Sequence, residues 1–145
     1  MKRIIIYIDG GAKGNPGPAA IGVVFYNEKG DIIKAYSKFL GENFTNNEAE
    51  YKGAIFALNK FKQLFGKRIA KESEIQVKSD SELLVRQISG EWKVLEPKIQ
   101  SLFLELWNLV KDFKKVKFKL IPREKNKKAD SLVQEALRGK AQKLI

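Results

Sequence analysis

The apolar positions of this chain switch between two periods. Residues 4–8 read Ile-Ile-Ile-Tyr-Ile, apolar at consecutive positions, which predicts a central strand buried on both faces. Gly10-Gly11 and Gly14-Asn15-Pro16-Gly17-Pro18 read as a loop. Ala20 to Tyr26 resumes as a strand, Asn27-Glu28-Lys29-Gly30-Asp31 is a hairpin signal, and Ile32 to Leu40 is the returning strand. The period then lengthens. Tyr51, Ala54, Ile55, Leu58, Phe61 and Phe65 recur at three- and four-residue steps, the stripe of an amphipathic helix, with Asn46 or Asn47 as its cap.

Glu74 to Ser79 is a short strand, and Asp80-Ser81 opens a second helix through Leu84 and Ile88. After the loop at Gly90-Glu91-Trp92-Lys93, Pro97 suits a first helical turn, and Ile99, Leu102, Phe103, Leu106, Val110 and Phe113 mark a third helix. Val116 to Ile121 alternates lysine with apolar residues, as a half-exposed strand does, and Asn126 to Leu137 reads as a final helix. The order βββαβααβα implies a mixed sheet with helices packed on it. No linker, repeat or low-complexity stretch divides residues 1–145, so one domain is expected.

Composition narrows the chemistry. The 145 residues contain no Cys and no His, which excludes disulfides, thiolate zinc sites, a Ser-His-Asp triad and a histidine acid–base. Any metal must be a hard cation held by oxygen. Lysine and arginine number 28 against 17 acidic residues, a net charge of +11. That surplus points to a polyanion, most simply nucleic acid; the plainer alternative is a lysine-rich, heat-stable surface. No apolar run reaches the length of a membrane span, and Met1-Lys2-Arg3-Ile4 runs straight into a strand pattern without a signal-peptide cleavage region. A cytoplasmic protein without membrane partners is expected.

Against this basic background, four acids fall at the ends of elements. Asp9 follows the most buried strand, where a charge is costly unless paired or metal-bound. Asp80 ends the fourth strand, Glu50 lies in the first turn of the first long helix, and Asp130 lies early in the last helix. Each has a plain structural alternative: a helix cap for Asp80, a favourable charge near a helix N-terminus for Glu50, a surface residue for Asp130. Together they suggest a cluster that would repel itself unless divalent cations neutralised it. Mg²⁺ shares its shell with substrate phosphates, and two such ions about 4 Å apart stabilise both oxygens of a phosphoryl displacement.

At these residues the chain resembles ribonuclease H type 1. The pieces are Tyr7-Ile8-Asp9-Gly10-Gly11 with Gly14-Asn15-Pro16-Gly17, then Thr45-Asn46-Asn47-Glu48-Ala49-Glu50-Tyr51, then Ser79-Asp80-Ser81 with Arg86-Gln87, then Pro122-Arg123-Glu124 with Asn126 and Ala129-Asp130. Each is weak alone; four in order over nearly the whole chain are a strong signal. The resemblance implies a ribonuclease H-like α/β fold, a five-stranded mixed sheet with helices on both faces. It implies hydrolysis of the RNA strand of an RNA–DNA hybrid with Mg²⁺ or Mn²⁺, leaving 5′-phosphate and 3′-hydroxyl ends. Its metal-binding carboxylates fall on Asp9, Glu50, Asp80 and Asp130, with Asp9 bridging two ions, Glu50 and Asp80 on one, and Asp130 on the other. Glu50 takes the helix role, which leaves Glu48 as a solvated helix residue, with contact to substrate as its alternative.

The family's hybrid-contacting residues match Asn15, Thr45, Asn46, Asn47 and Gln87. Asn and Gln carry a donor and an acceptor and can read minor-groove edges and 2′-hydroxyls without demanding a sequence; Thr45 could hold a phosphate. Turn formation for Asn15 and helix capping for Asn46 or Asn47 are the alternatives. Gly10 and Gly11 could admit nucleic acid close to the backbone or serve only a turn. Trp92 and Lys93 could lie against the DNA strand, although a Trp92 folded onto the core is an equal reading. Lys114, Lys115, Lys117 and Lys119 read as a solvated strand face, and Tyr51, Phe61 and Trp107 as core.

The departures are specific. Many members carry a His in the loop before the last acid; here Arg123-Glu124 stands there, as in a His-free subgroup. Arg123 could bind a phosphate and Glu124 could relay a proton or steer a metal, or both could be loop charges. No extended basic handle is obvious between Gly90 and Pro97. The expected protein is a monomeric endonuclease acting on hybrid, with double-stranded RNA as a further candidate substrate. The rivals are a silent binding module of the same fold, a nuclease for another duplex, and a role unconnected to nucleic acid.

Overall fold

A computed structural model describes residues 2–143. Its elements are β1 (Arg3–Ala12), β2 (Gly17–Tyr26), β3 (Ile32–Phe44), α1 (Asn46–Lys71), β4 (Glu74–Ser79), α2 (Glu82–Ile88), α3 (Pro97–Val110), β5 (Lys115–Leu120), a 3₁₀ turn at Arg123–Lys125, and α4 (Lys127–Lys143). The sheet order is β3-β2-β1-β4-β5. The meander β1–β2–β3 is antiparallel, while β1–β4 and β4–β5 are parallel, so the five strands form the expected mixed sheet.

The two-residue alternation of the strands decides what covers each face. Ile4, Ile6 and Ile8 of β1, with Val23, Phe25, Ile75 and Val77, pack against Tyr51, Ala54, Leu58 and Phe61 of α1, and α3 adds Ile99, Leu102 and Leu106 to the same core. The opposite face takes α4, whose Val133 and Leu137 rest on Ala20 of β2 with Phe39 beside them. Helices therefore cover both faces. No helix among the described residues is long and apolar enough to cross a membrane.

Several boundaries differ from expectation. Gly10 and Gly11 do not open a loop: β1 continues through Ala12, pairing Gly10 with Ile21 and Gly11 with Ala20. Asp9 thus lies inside a strand rather than at its end. β3 likewise runs on past Leu40 to Phe44, through a register shift opposite Ala19 and Ala20. The first helix extends past Phe65 to Lys71, interrupted at Gly66, where the backbone is non-helical at φ 86°. Phe113 lies beyond the end of α3 yet still joins the core. Trp107, expected inside, is 42% exposed; it stacks on Phe103 and carries Lys111 over its ring.

Two glycines permit backbones to approach where the acids are gathered. A Cβ on Gly10 would lie 2.4 Å from the Ala49 carbonyl, so only glycine lets the first turn of α1 rest on β1. A Cβ on Gly22 would lie 2.1 Å from the Ala129 carbonyl oxygen, at the start of α4. Overpacking of this kind costs about 1–3 kcal/mol or more. Gly22→Ala is therefore expected to lower the unfolding free energy by at least about 2 kcal/mol in urea titration. Gly139→Ala, where a Cβ meets nothing within 4 Å on α4, should leave stability unchanged or raise it by about 0.5–1 kcal/mol.

Candidate active site

β1 is longer than its parallel partner. The β1–β4 pairing stops at Tyr7 and Lys78, so the edge of β1 beyond that point has backbone groups that no strand satisfies. Side chains do so instead. The Gly10 N–H donates to the Glu50 carboxylate in a short contact, the Ala12 N–H donates to Asn46 Oδ1 at 2.8 Å, and the Ile8 carbonyl accepts from Asn126 Nδ2 at 2.8 Å. Each of these bonds pulls the start of a helix, or the loop before one, onto the strand that carries Asp9.

Asp9, Glu50 and Asp80 converge as a result. One carboxylate oxygen from each lies within 4.8 Å of the others. Asp9 and Glu50 are buried, at 9% and 7% exposure, while Asp80 is half-buried. No lysine or arginine among the described residues forms a salt bridge with any of the three. Burial, then the neighbouring Asp80 charge, pushes the Asp9 carboxyl from an ordinary 3.8 up to about 7, and Asp130 adds to the rise. Burial, then Asp9 and Asp80, raises Glu50 well above the usual carboxylate range, against the opposing bond from Gly10. An all-oxygen set this close, strained by its own repulsion, suits a hard divalent cation such as Mg²⁺ or Mn²⁺.

Asp130 is exposed and stands outside this trio, but it lines the same cleft of about 530 Å³. Gly10, Gly11, Asn46, Asn47 and Arg123 line it too. Asn15 is tied in through its Oδ1, which accepts from the Asn46 N–H at 2.9 Å. Thr45, not Asn46 or Asn47, caps α1: its hydroxyl accepts from the Glu48 N–H while its own N–H donates to Glu48 Oε1. Glu48 is consequently buried rather than solvated. Ser81, not Asp80, caps α2, which leaves the Asp80 carboxylate to the cleft.

The remaining predicted contacts lie outside the cleft. Gln87 is buried, its Oε1 accepting from the Tyr51 hydroxyl at 2.7 Å and its Nε2 donating to the Lys93 carbonyl at 3.0 Å. That bond fastens the Trp92–Lys93 loop to the body. Trp92 is 44% exposed, so it does not fold into the core, and the Arg86 guanidinium sits 5.7 Å from its ring centre. Glu124 is exposed in the 3₁₀ turn. Sequence reasoning passed over Lys13, Ser81 and Gln134, which line the cleft, and gave Asn126 no role. Gln134 was legible, one helical turn after Asp130 on the same face; the others had no periodic signal.

Sheet order, strand directions and the position of these acids define the ribonuclease H-like class. The family model described as "Reverse transcriptase-like" matches residues 7–136. The chain is 36% identical over 140 residues to the bifunctional protein Rv2228c of Mycobacterium tuberculosis, a match covering 97% of this chain and 37% of that protein. It therefore spans little more than a third of the mycobacterial relatives. LC11-RNase H1, isolated from compost by a metagenomic approach and solved in complex with RNA/DNA hybrid, superposes with a TM-score of 0.90 at 45% identity, covering 95% of this chain and 99% of that one. RNase H1 of the halophilic archaeon Halobacterium salinarum gives a TM-score of 0.87 at 32% identity, covering 94% and 98%. The chain belongs to the ribonuclease H type 1 family.

The raised carboxyls have a consequence for stability. Folded Asp9 holds its proton up to about pH 7, whereas the unfolded group releases it near 3.8. Its contribution is thus fully present below about pH 4 and is lost as pH rises through about 7. In chelator, Asp9→Asn should be more stable than the unaltered chain above pH 7, on the order of 2 kcal/mol. The difference should shrink on acidification toward pH 4, in thermal unfolding scans across that range. Parallel curves at every pH would contradict it.

Proposed function

We propose that this chain is an endonuclease that hydrolyses the RNA strand of RNA–DNA hybrids by a two-metal-ion mechanism, leaving 5′-phosphate and 3′-hydroxyl ends. The observation that carries the reading is the convergence of Asp9, Glu50 and Asp80 within 4.8 Å, with no salt bridge to a lysine or arginine among the described residues. Two Mg²⁺ or Mn²⁺ ions, when bound, supply a lowered water pKa and positive charge at the attacking and leaving oxygens. Asp9 would bridge the pair, Glu50 and Asp80 would hold one ion, and Asp130, which lines the same cleft from α4, would hold the other.

The rest of the chain binds and orients the duplex. Asn15 and Asn46 spend their Oδ1 atoms on backbone N–H groups, at Asn46 and Ala12, which leaves the Nδ2 groups to donate. Minor grooves present acceptors at A·T pairs and 2′-hydroxyls in RNA, so fixed amide donors read a hybrid without reading its sequence. Thr45 keeps its hydroxyl proton for a phosphate, because its oxygen accepts from Glu48 N–H. Gln87 retains a second Nε2 proton and a second Oε1 lone pair beyond its two internal bonds. Asn47, Gly10 and Gly11 border the reacting strand; the exposed face of Trp92, with Lys93, lies against the DNA strand. Arg123, in the cleft, holds a phosphate, and Glu124 assists proton movement from the adjoining turn.

The protein is expected to cut the RNA strand of a labelled hybrid in Mg²⁺ while sparing double-stranded DNA, with double-stranded RNA as the informative third duplex. Asp9→Asn and Asp80→Asn should each lower the rate at least about a hundredfold while hybrid still binds in gel-shift assays. Near-normal turnover by both variants, or an intact hybrid with the unaltered protein, would refute the proposal.

A further inference from the structure

Asn126 stands just before α4, and its side chain is 1% exposed. Its Nδ2 donates twice: to the Ile8 carbonyl at 2.8 Å and to Asp80 Oδ2 at 3.2 Å. Its backbone carbonyl accepts from the Asp130 N–H at 3.1 Å, and its backbone N–H donates to the Arg123 carbonyl at 2.9 Å. One residue thus touches the strand bond preceding Asp9, the carboxylate of Asp80, and the backbone of Asp130. Its Oδ1 is buried without a partner. Rotating the amide would not help, because Oδ1 would then confront two acceptors, the Ile8 carbonyl and a carboxylate oxygen. The orientation is therefore dictated by what Nδ2 serves, and the amide keeps it despite leaving a buried oxygen unsatisfied, which is costly.

Asp80 needs such a partner. β4 ends at Ser79, and the β1–β4 pairing has already stopped at Tyr7 and Lys78. The carboxylate stands past the last ladder bond, in mutual repulsion with Asp9 and Glu50. A donor fixed to β1 holds it toward Asp9 rather than letting it swing to solvent.

We propose that Asn126 is a positioning residue for the acidic site: it orients the Asp80 carboxylate and locks the β5–α4 loop, and with it Asp130, to the β1 edge. This rests on the metal-dependent hybrid cleavage argued above. Groups that orient metal ligands typically govern about 10–100-fold in ion affinity or activity.

The test uses the full chain and three readouts. Mn²⁺ binding is followed calorimetrically without substrate, kcat and KM on hybrid are measured well below the unfolding transition, and stability is read by thermal unfolding. Asn126→Ala is expected to weaken Mn²⁺ binding by about 10–100-fold and to lower kcat with KM for hybrid unchanged. In an Asp80→Asn background, the same change should cost less Mn²⁺ affinity than it does in the unaltered chain, the remaining loss reporting the hold on Asp130. A folded Asn126→Ala protein with ordinary Mn²⁺ affinity and kcat, and only a lower Tm, would overturn the proposal. Should that variant not fold, Asn126→Ser carries the same comparison, since one hydroxyl proton cannot serve Ile8 and Asp80 together. If the unaltered chain leaves hybrid intact, the cleavage reading fails by itself, while the Mn²⁺ titrations still decide the role of Asn126.

Discussion

Three carboxylates held within 4.8 Å of one another, with no lysine or arginine among the described residues bridging to them, are the arrangement around which the molecule is organised. Such a cluster destabilises the fold that contains it, because burial and mutual repulsion both disfavour the charged forms. It can persist only if other contacts supply the stability. Here they come from the apolar layer between the sheet and α1 with α3, and from the smaller one under α4. The acids sit at the boundary of these layers, where β1 emerges from under its helices.

The means of gathering them is an incomplete sheet. Had β4 continued beside β1, the Ile8 carbonyl and the Gly10 and Ala12 amides would have been met by strand partners. Because it stops, those groups must be met by side chains, since buried backbone groups are rarely left unpaired. Asn126, Glu50 and Asn46 meet them, from the loop before α4 and from the first two turns of α1. Shifting Glu50 therefore breaks a bond to β1, and shifting Asp80 breaks its bond to Asn126, which is itself tied to β1. In doubly wound sheets, sites form beyond the carboxyl ends of parallel strands, and the early end of β4 against a continuing β1 gives that rule its local cause.

Strong periodicity was legible. The unbroken run Ile4–Ile8 announced the central strand, and the Tyr51-to-Phe65 stripe announced α1, because each reports burial directly. Glu50 and Asp80 were legible as acids near element ends, whereas Asp9, read as ending its strand, lies inside it. What escaped depended on contacts between distant segments. Gly10 and Gly11 look like a loop, yet they are strand residues, and the missing side chain of Gly10 makes room for α1 as that of Gly22 does for α4. Cap choice turned on one residue, Thr45 against Asn46, because any of three neighbours could begin the helix and only the packing of Glu48 selects. Trp107 is apolar and lies on α3, but it remains 42% exposed, stacked on Phe103 under Lys111. Asn126 carried no sign of its burial, since nothing local distinguishes a capping asparagine from one inserted between two strands.

The loop before α4 shows what the absence of histidine means physically. An imidazole there would titrate near neutral pH and could change charge during turnover. Arginine is a permanent cation, so the part open to it in this loop is to hold a phosphate. Asn126 has no charge to change and is fixed by bonds on four sides. Of the side chains in this loop, Arg123 and Asn126 can therefore contribute only placement, and under the proposed mechanism proton movement falls to Glu124. Without metal, a pH dependence of stability near neutrality is then expected from the buried carboxyls, Asp9 above all, because the sequence contains no His or Cys to titrate there.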